Sequence, residues 1–85
     1  MLNKKQLTTV GLSDKQAVVY LALLELGPST VSEVARKAGI NRTTGYDILE
    51  MLVSFGLVSP LGKGKVQKYV TENPEKIIGF AKKQI

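Results

Sequence analysis

Residues 29–56, STVSEVARKAGINRTTGYDILEMLVSFG, leave few folds open to this chain. Thr30 and Glu33 stand at capping-box spacing, which predicts a helix beginning at Val31. Val34, Ala35 and Ala38 fall on one face of that helix. Gly39 supplies a left-handed stop, with Ile40 behind it. Asn41 then caps a second helix over about 42–55, with Gly45, Leu49, Leu52 and Val53 on one side and Gly56 at its end. A short helix, a tight turn containing Gly and a longer helix make a helix-turn-helix. In that motif the second helix enters the DNA major groove, and its N-terminal residues meet base edges.

Measured outward from Leu49 at about 100° per residue, the far side of the second helix holds Thr43, Thr44, Asp47 and Met51. Arg42 sits in its first turn, and Asn41 just before it. These side chains are mostly small or polar, so the face fits a groove and can still exchange hydrogen bonds there. Thr meets a base or a thymine methyl, and Arg grips guanine or phosphate. Thr30 and Ser32, at the start of the first helix, are candidates for anchoring the DNA backbone. Tyr46 lies on the flank of the core face and is expected to be semi-buried, its hydroxyl reaching outward toward a phosphate. The plain alternative for the whole segment is a helical hairpin packed on a third helix, its polar face merely solvated. Arg36 and Lys37 fit such a solvated face.

The chain has 85 residues, enough for one small domain over 1–85. A domain this small buries only about 60% of its unfolded surface, so its stability margin is thin. It contains no Cys and no His, which removes disulfides and leaves most hydrolytic, nucleophilic and zinc chemistry without its usual side chains. The acids are scattered, and no catalytic residue, metal site or cofactor is expected. Twelve Lys and Arg against seven acids give a net charge of +5 and a pI near 9.6, which suits a polyanionic partner. No apolar run is long enough to span a membrane and no signal peptide is visible, so a cytoplasmic, nucleoid-associated protein is expected.

The segments around the motif complete the pattern. Residues 1–12 can form a short helix with Leu2, Leu7 and Val10 inward and Gly11 at its end. Ser13 caps the next helix, DKQAVVYLALLEL, which Gly27-Pro28 stops. Ala17, Val18, Leu21 and Leu24 make one apolar stripe on it, and Val19, Leu23 and Leu26 make another nearly opposite. A helix that is apolar all round is buried all round. The second stripe is therefore expected to be covered by the terminal helices or by a second subunit, with the partner subunit favoured.

After the helix-turn-helix, the runs 57–61 and 66–71 have strand composition, with Gly62-Lys63-Gly64 as a turn between them and Pro60 marking an edge strand. A β-hairpin in this position, about 57–71, is a wing. Its Lys63 and Lys65, with Lys68 next along, are placed to reach phosphates beside the groove. The alternative is a hairpin tip kept charged against edge-to-edge aggregation. In the second strand, Val66 and Val70 compete with Tyr69 for the inward face. Asn73 caps a last helix with Pro74 at its first position, and Ile77, Ile78, Ala81 and Ile85 form its stripe. That stripe folds back or pairs with its copy across a two-fold axis.

The expected fold is mainly α with a small β-hairpin. It is a winged helix-turn-helix of three core helices plus a two-stranded wing and short terminal helices. The stretches GLSDKQAVVYLALLELGPSTVSEVARKAGINRTTGYDILEMLVSFGLVS (11–59) and KVQKYV with NPEK (65–76) resemble the TrmB-type transcription regulators of archaea and bacteria. The opening GLS–A–VYLALLELGP is the most specific part, and the Arg42–Tyr46–Leu49 spacing supports it. The resemblance implies a DNA-binding domain that acts as a dimer on operator DNA. Longer members carry an effector-binding domain, often for sugars. The chain stops at Ile85, before any such domain, so an effector domain is expected to be absent. Gly45 departs from the larger residue expected before the Tyr and is expected to loosen the recognition helix.

These readings converge on sequence-specific binding of double-stranded DNA by a non-enzymatic regulator. The residues expected to touch DNA are Thr30, Ser32, Asn41, Arg42, Thr43, Thr44, Tyr46, Asp47, Lys63, Lys65 and Lys68. A homodimer is expected, with Leu7, Val19, Leu23, Leu26, Ile77, Ile78, Ala81 and Ile85 at its interface. The competing reading from another class is a winged helix used only for protein–protein contact, since one fold hosts both.

Overall fold

Every helix start is written in short polar residues. In the computed structural model, which describes residues 3–62 and 66–73, α1 (Lys4–Thr9), α2 (Asp14–Leu26) and α3 (Val31–Ala38) each open with a complete capping box. Ser13 shows the geometry: the Gln16 N–H donates to its Oγ at 3.1 Å, and its own N–H donates to Gln16 Oε1 at 3.0 Å. Each box satisfies backbone donors that the first turn of a helix leaves without a partner. The fourth helix, α4 (Arg42–Ser54), is capped by Asn41, whose side chain accepts from the Thr44 N–H at 2.8 Å.

The stops are glycines where the backbone must turn left-handed. Gly39 ends α3 with φ 73° and ψ 31°, and the Ile40 N–H folds back to Ala35 O at 3.0 Å. The turn from α3 to α4 is thereby closed within a few residues.

Gly45 has a different task. A Cβ there would lie 3.2 Å from Ala35 Cβ and 3.7 Å from both Ile40 Cδ1 and Val31 Cγ1. Its missing side chain lets α4 sit directly on α3. The expectation that Gly45 loosens the recognition helix therefore omits its packing role. What the glycine costs in helix propensity is set against the close crossing that it permits.

The sheet has three strands rather than the expected two. β2 (Val58–Leu61) and β3 (Lys68–Thr71) form the wing hairpin, and β1 (Ser29–Thr30) adds to the other side of β3, all antiparallel in the order β1-β3-β2. β1 is two residues long and carries no strand signal of its own. Its register, Ser29 opposite Tyr69 and Thr30 opposite Lys68, is imposed by β3. Ser29 is 2% exposed, and its hydroxyl donates to Gly27 O at 2.8 Å, so the buried polar group is satisfied. Pro60 lies on β2, an edge strand, as a residue without an N–H requires. Tyr69 takes the inward face of β3 at 1% exposure, whereas Val66 is 57% exposed.

The core resolves the two stripes of α2 differently from the sequence expectation. Val19 and Leu23 are completely buried, together with Leu7 of α1, in one cluster with Leu49, Leu52, Leu57 and Tyr69. Val18, Leu21 and Leu24, assigned to the inner stripe, are only partly buried. The reason is position: α2 packs against α1, α3, α4 and β3, so it is surrounded by its own chain. Leu7, Val19 and Leu23 are thus core residues of a single subunit and cannot form an interface with a second one. Leu26, at 41% exposure, is the described member of the expected interface that reaches solvent. Ile77, Ile78, Ala81 and Ile85 lie outside the described residues, as do the helix expected from Pro74 and the wing residues Lys63 and Lys65.

Candidate nucleic-acid interface

The core fixes which side of α4 faces outward. Gly45, Ile48, Leu49 and Leu52 are its buried residues. Taking their mean direction, rather than Leu49 alone, the outward axis runs between Thr43 and Asp47, with Glu50 about 30° from it. Arg42 and Tyr46 lie on the flank toward the wing, and Thr44 and Met51 lie on the opposite flank. Thr43, Asp47, Arg42 and Glu50 are all exposed, and Thr44 is half-buried. The expected face of Thr43, Thr44, Asp47 and Met51 was therefore rotated. Glu50 belongs on it, and Thr44 and Met51 stand at its edge. On that edge the Gln16 side-chain amide donates to Met51 Sδ at 3.3 Å, tying the face to the start of α2.

On the wing side, the start of α3, the start of α4 and the residues leading into β3 enclose a groove of about 310 Å³ lined by Thr30, Val31, Ser32, Arg42, Tyr46, Val66 and Gln67. The geometry joins four of the expected contact residues, Thr30, Ser32, Arg42 and Tyr46, around one concavity. Tyr46 is 49% exposed, more open than the semi-buried position expected. Val66 and Gln67 were missed, because nothing local marks them. Only the strand pairing carries them to the start of α3.

Lys68 is exposed, but in β3 opposite both Thr30 and Leu61 rather than on a protruding tip. It stands near Glu33, whose carboxyl is held below the ordinary carboxylate range. The Thr30 backbone N–H is the largest cause, the Thr30 hydroxyl is next, and Lys68 and Arg36 add attraction. The first turn of α3 thus keeps its acid ionised, with one oxygen turned inward to the cap at 3.0 Å.

One further contact joins the wing to α4. The Tyr69 hydroxyl donates to Glu50 Oε1 at 3.0 Å. Burial pushes the Tyr69 phenol well above its ordinary value, and the bond to Glu50 and its charge push it further the same way. Tyr69 therefore remains a protonated donor.

A family model for the sugar-specific transcriptional regulator TrmB matches residues 7–75. The chain belongs to the TrmB family. Within it, the chain is 35% identical over 74 residues to the HTH-type sugar sensing transcriptional regulator TrmBL1 of Pyrococcus furiosus. That match covers 87% of this chain but 21% of TrmBL1, so the chain spans about a fifth of that relative's length. Among solved structures it superposes on TrmBL2, an archaeal chromatin protein described as showing a novel mode of DNA binding, with a TM-score of 0.77 at 23% identity. The overlap covers 96% of this chain and 34% of TrmBL2. It also superposes on the homodimeric winged helix-turn-helix DNA-binding domain Mb0332 of Mycobacterium bovis, with a TM-score of 0.68 at 25% identity. That overlap covers 94% of this chain and 73% of Mb0332. The winged helix-turn-helix of the TrmB family is thus the architecture seen here, with β1 as a third strand. No described helix is long and apolar enough to cross a membrane.

Proposed function

We propose that this chain is the DNA-reading part of a transcription regulator and binds double-stranded DNA with sequence preference. The observation that carries the reading is the outward face of α4. Arg42, Thr43 and Asp47 stand exposed on a helix whose other side is locked into the core, with the α3 cap and β3 flanking it. Such a helix fits the major groove, Thr43 and Asp47 meet base edges, and Arg42 reaches guanine or phosphate. Thr30, Ser32 and Lys68 flank the groove where the DNA backbone passes, and Lys63 and Lys65 add positive charge in the wing loop. Membership of a regulator family supports the same reading.

The working unit is a homodimer, a reading supported by the dimeric Mb0332. Its interface uses Leu26 and the C-terminal stripe of Ile77, Ile78, Ala81 and Ile85. Two recognition helices then read half-sites about one helical turn, ~34 Å, or a multiple of it apart.

Selection from a pool of random duplexes tests the function. The expected outcome is an enriched, roughly palindromic motif. The double substitution of Thr43→Ala and Thr44→Ala should flatten that motif, at about 1–3 kcal/mol for each base no longer read. A wild-type pool that stays random after several rounds contradicts sequence-specific reading.

A further inference from the structure

The recognition helix is not basic. Over Arg42–Ser54 it carries one cation, Arg42, and two acids, Asp47 and Glu50. Acids on a helix that enters an anionic groove are repelled by the phosphates, so each needs a reason to be there. For Glu50 the structure supplies a support that Asp47 is not seen to have. Its carboxylate is pinned at Oε1 by the Tyr69 hydroxyl at 3.0 Å. Tyr69 is itself a fixed point, 1% exposed on β3, the central strand, between Ser29 of β1 and Pro60 of β2. A free Glu swings away from an unfavourable neighbour. A Glu tethered to a buried tyrosine cannot do so without giving up that bond.

We propose that Glu50 is a specificity-determining residue of the DNA-binding face and that Tyr69 is its positioning residue. This inference rests on the DNA-binding reading above. The tethered carboxylate is an acceptor with lone pairs left over. In the major groove, cytosine N4 and adenine N6 donate, whereas guanine O6 and N7 and thymine O4 only accept. A fixed carboxylate therefore welcomes an amino group and rejects an edge made of acceptors, where it would be desolvated without a partner. Glu50 lies two turns below Thr43 on the same outward line, about 10 Å along the helix. With the helix along the groove, it reads a base roughly three base pairs from the one that Thr43 reads. Glu50 thus adds little attraction and works mainly by exclusion, leaving attraction to the lysines and arginines around it.

Glu50→Ala, Glu50→Gln and Tyr69→Phe, each checked for retained helix content by circular dichroism, are compared with wild type by selection from random duplexes and by titration of one preferred and one scrambled duplex. Glu50→Ala is expected to lose about tenfold in preference at one base pair, while scrambled DNA binds equally well or better because a negative charge has gone. Glu50→Gln, of the same size, is expected to admit guanine or thymine there, since an amide also donates. Tyr69→Phe is expected to relax the same base pair and no other, a readout that a general loss of packing does not produce. A wild type that selects a motif while all three variants select the identical motif with identical ratios overturns the role of Glu50 and leaves DNA reading standing. A wild type with no preferred duplex overturns both together.

Discussion

Raising the salt from about 50 to 200 mM should weaken duplex binding by roughly two decades per protomer, and by about four for two protomers on one site. The magnitude follows from where the cations lie. Arg36, Arg42 and Lys68 are exposed on the elements that frame the α4 face, and Lys63 and Lys65 belong to the wing sequence. If about four of them each neutralise a phosphate, the log–log slope is about −0.9 times four, or −3.6, and a fourfold rise in salt costs about two decades. The opposing charges Asp47 and Glu50 do not flatten this slope, because counterion release counts phosphates neutralised rather than net charge on the helix. Fluorescence anisotropy across a salt series measures it. Affinity that is independent of salt would mean that binding, if any, does not run through the backbone.

Leu23→Ala should cost about 2–5 kcal/mol of folding stability. Leu23 has no exposed surface and sits in the cluster with Leu7, Val19, Leu49 and Leu52, so truncation leaves a cavity at the centre of the helical core. A domain of this length has about 4–13 kcal/mol in total, so the loss takes a large part of it. At about 4–8 °C per kcal/mol, the melting temperature should fall by at least about 8 °C. Lys15→Ala, on the same helix but exposed, is the control and should shift melting little. Thermal denaturation of the two variants also separates two views of α2. If Val19 and Leu23 faced a second subunit, Leu23→Ala would lower the oligomeric mass and leave a folded monomer. With Leu23 in the subunit core, it destabilises the fold whatever the oligomeric state.

The contrast between those views shows how far the sequence speaks. Ser13, Thr30, Gly39 and Asn41 act through residues within four positions of themselves, and each does in the structure what its chemistry foretells. Pro60 is equally legible, because a missing N–H restricts it wherever it stands. What sequence could not order was non-local. With apolar residues on every side, α2 offers no periodicity to choose a face, and only its central place among α1, α3, α4 and β3 decides it. β1 exists because β3 lies beside it. The inward turn of Tyr69 over Val66 is a matter of strand register, where a shift of one residue reverses every side chain.

The candidate site divides the same way. Arg42, Thr43 and Asp47 were legible because helical spacing alone turns them outward. Glu50 was missed because the outward axis was taken from Leu49 alone, and including Ile48 and Gly45 moves it. The tether from Tyr69 could not be read at all, since it spans nineteen positions between helix and strand.

The central claim is that DNA is read by the outward face of α4 with the α3 cap and β3 beside it. Backbone amide shifts of the isotope-labelled chain, recorded by NMR during titration with its selected duplex, test it most directly. The largest changes are expected at 30–33, 41–47 and 66–69, with α1 and the exposed side of α2 near zero. Changes concentrated on α1 and α2, with 41–47 unmoved, would contradict it.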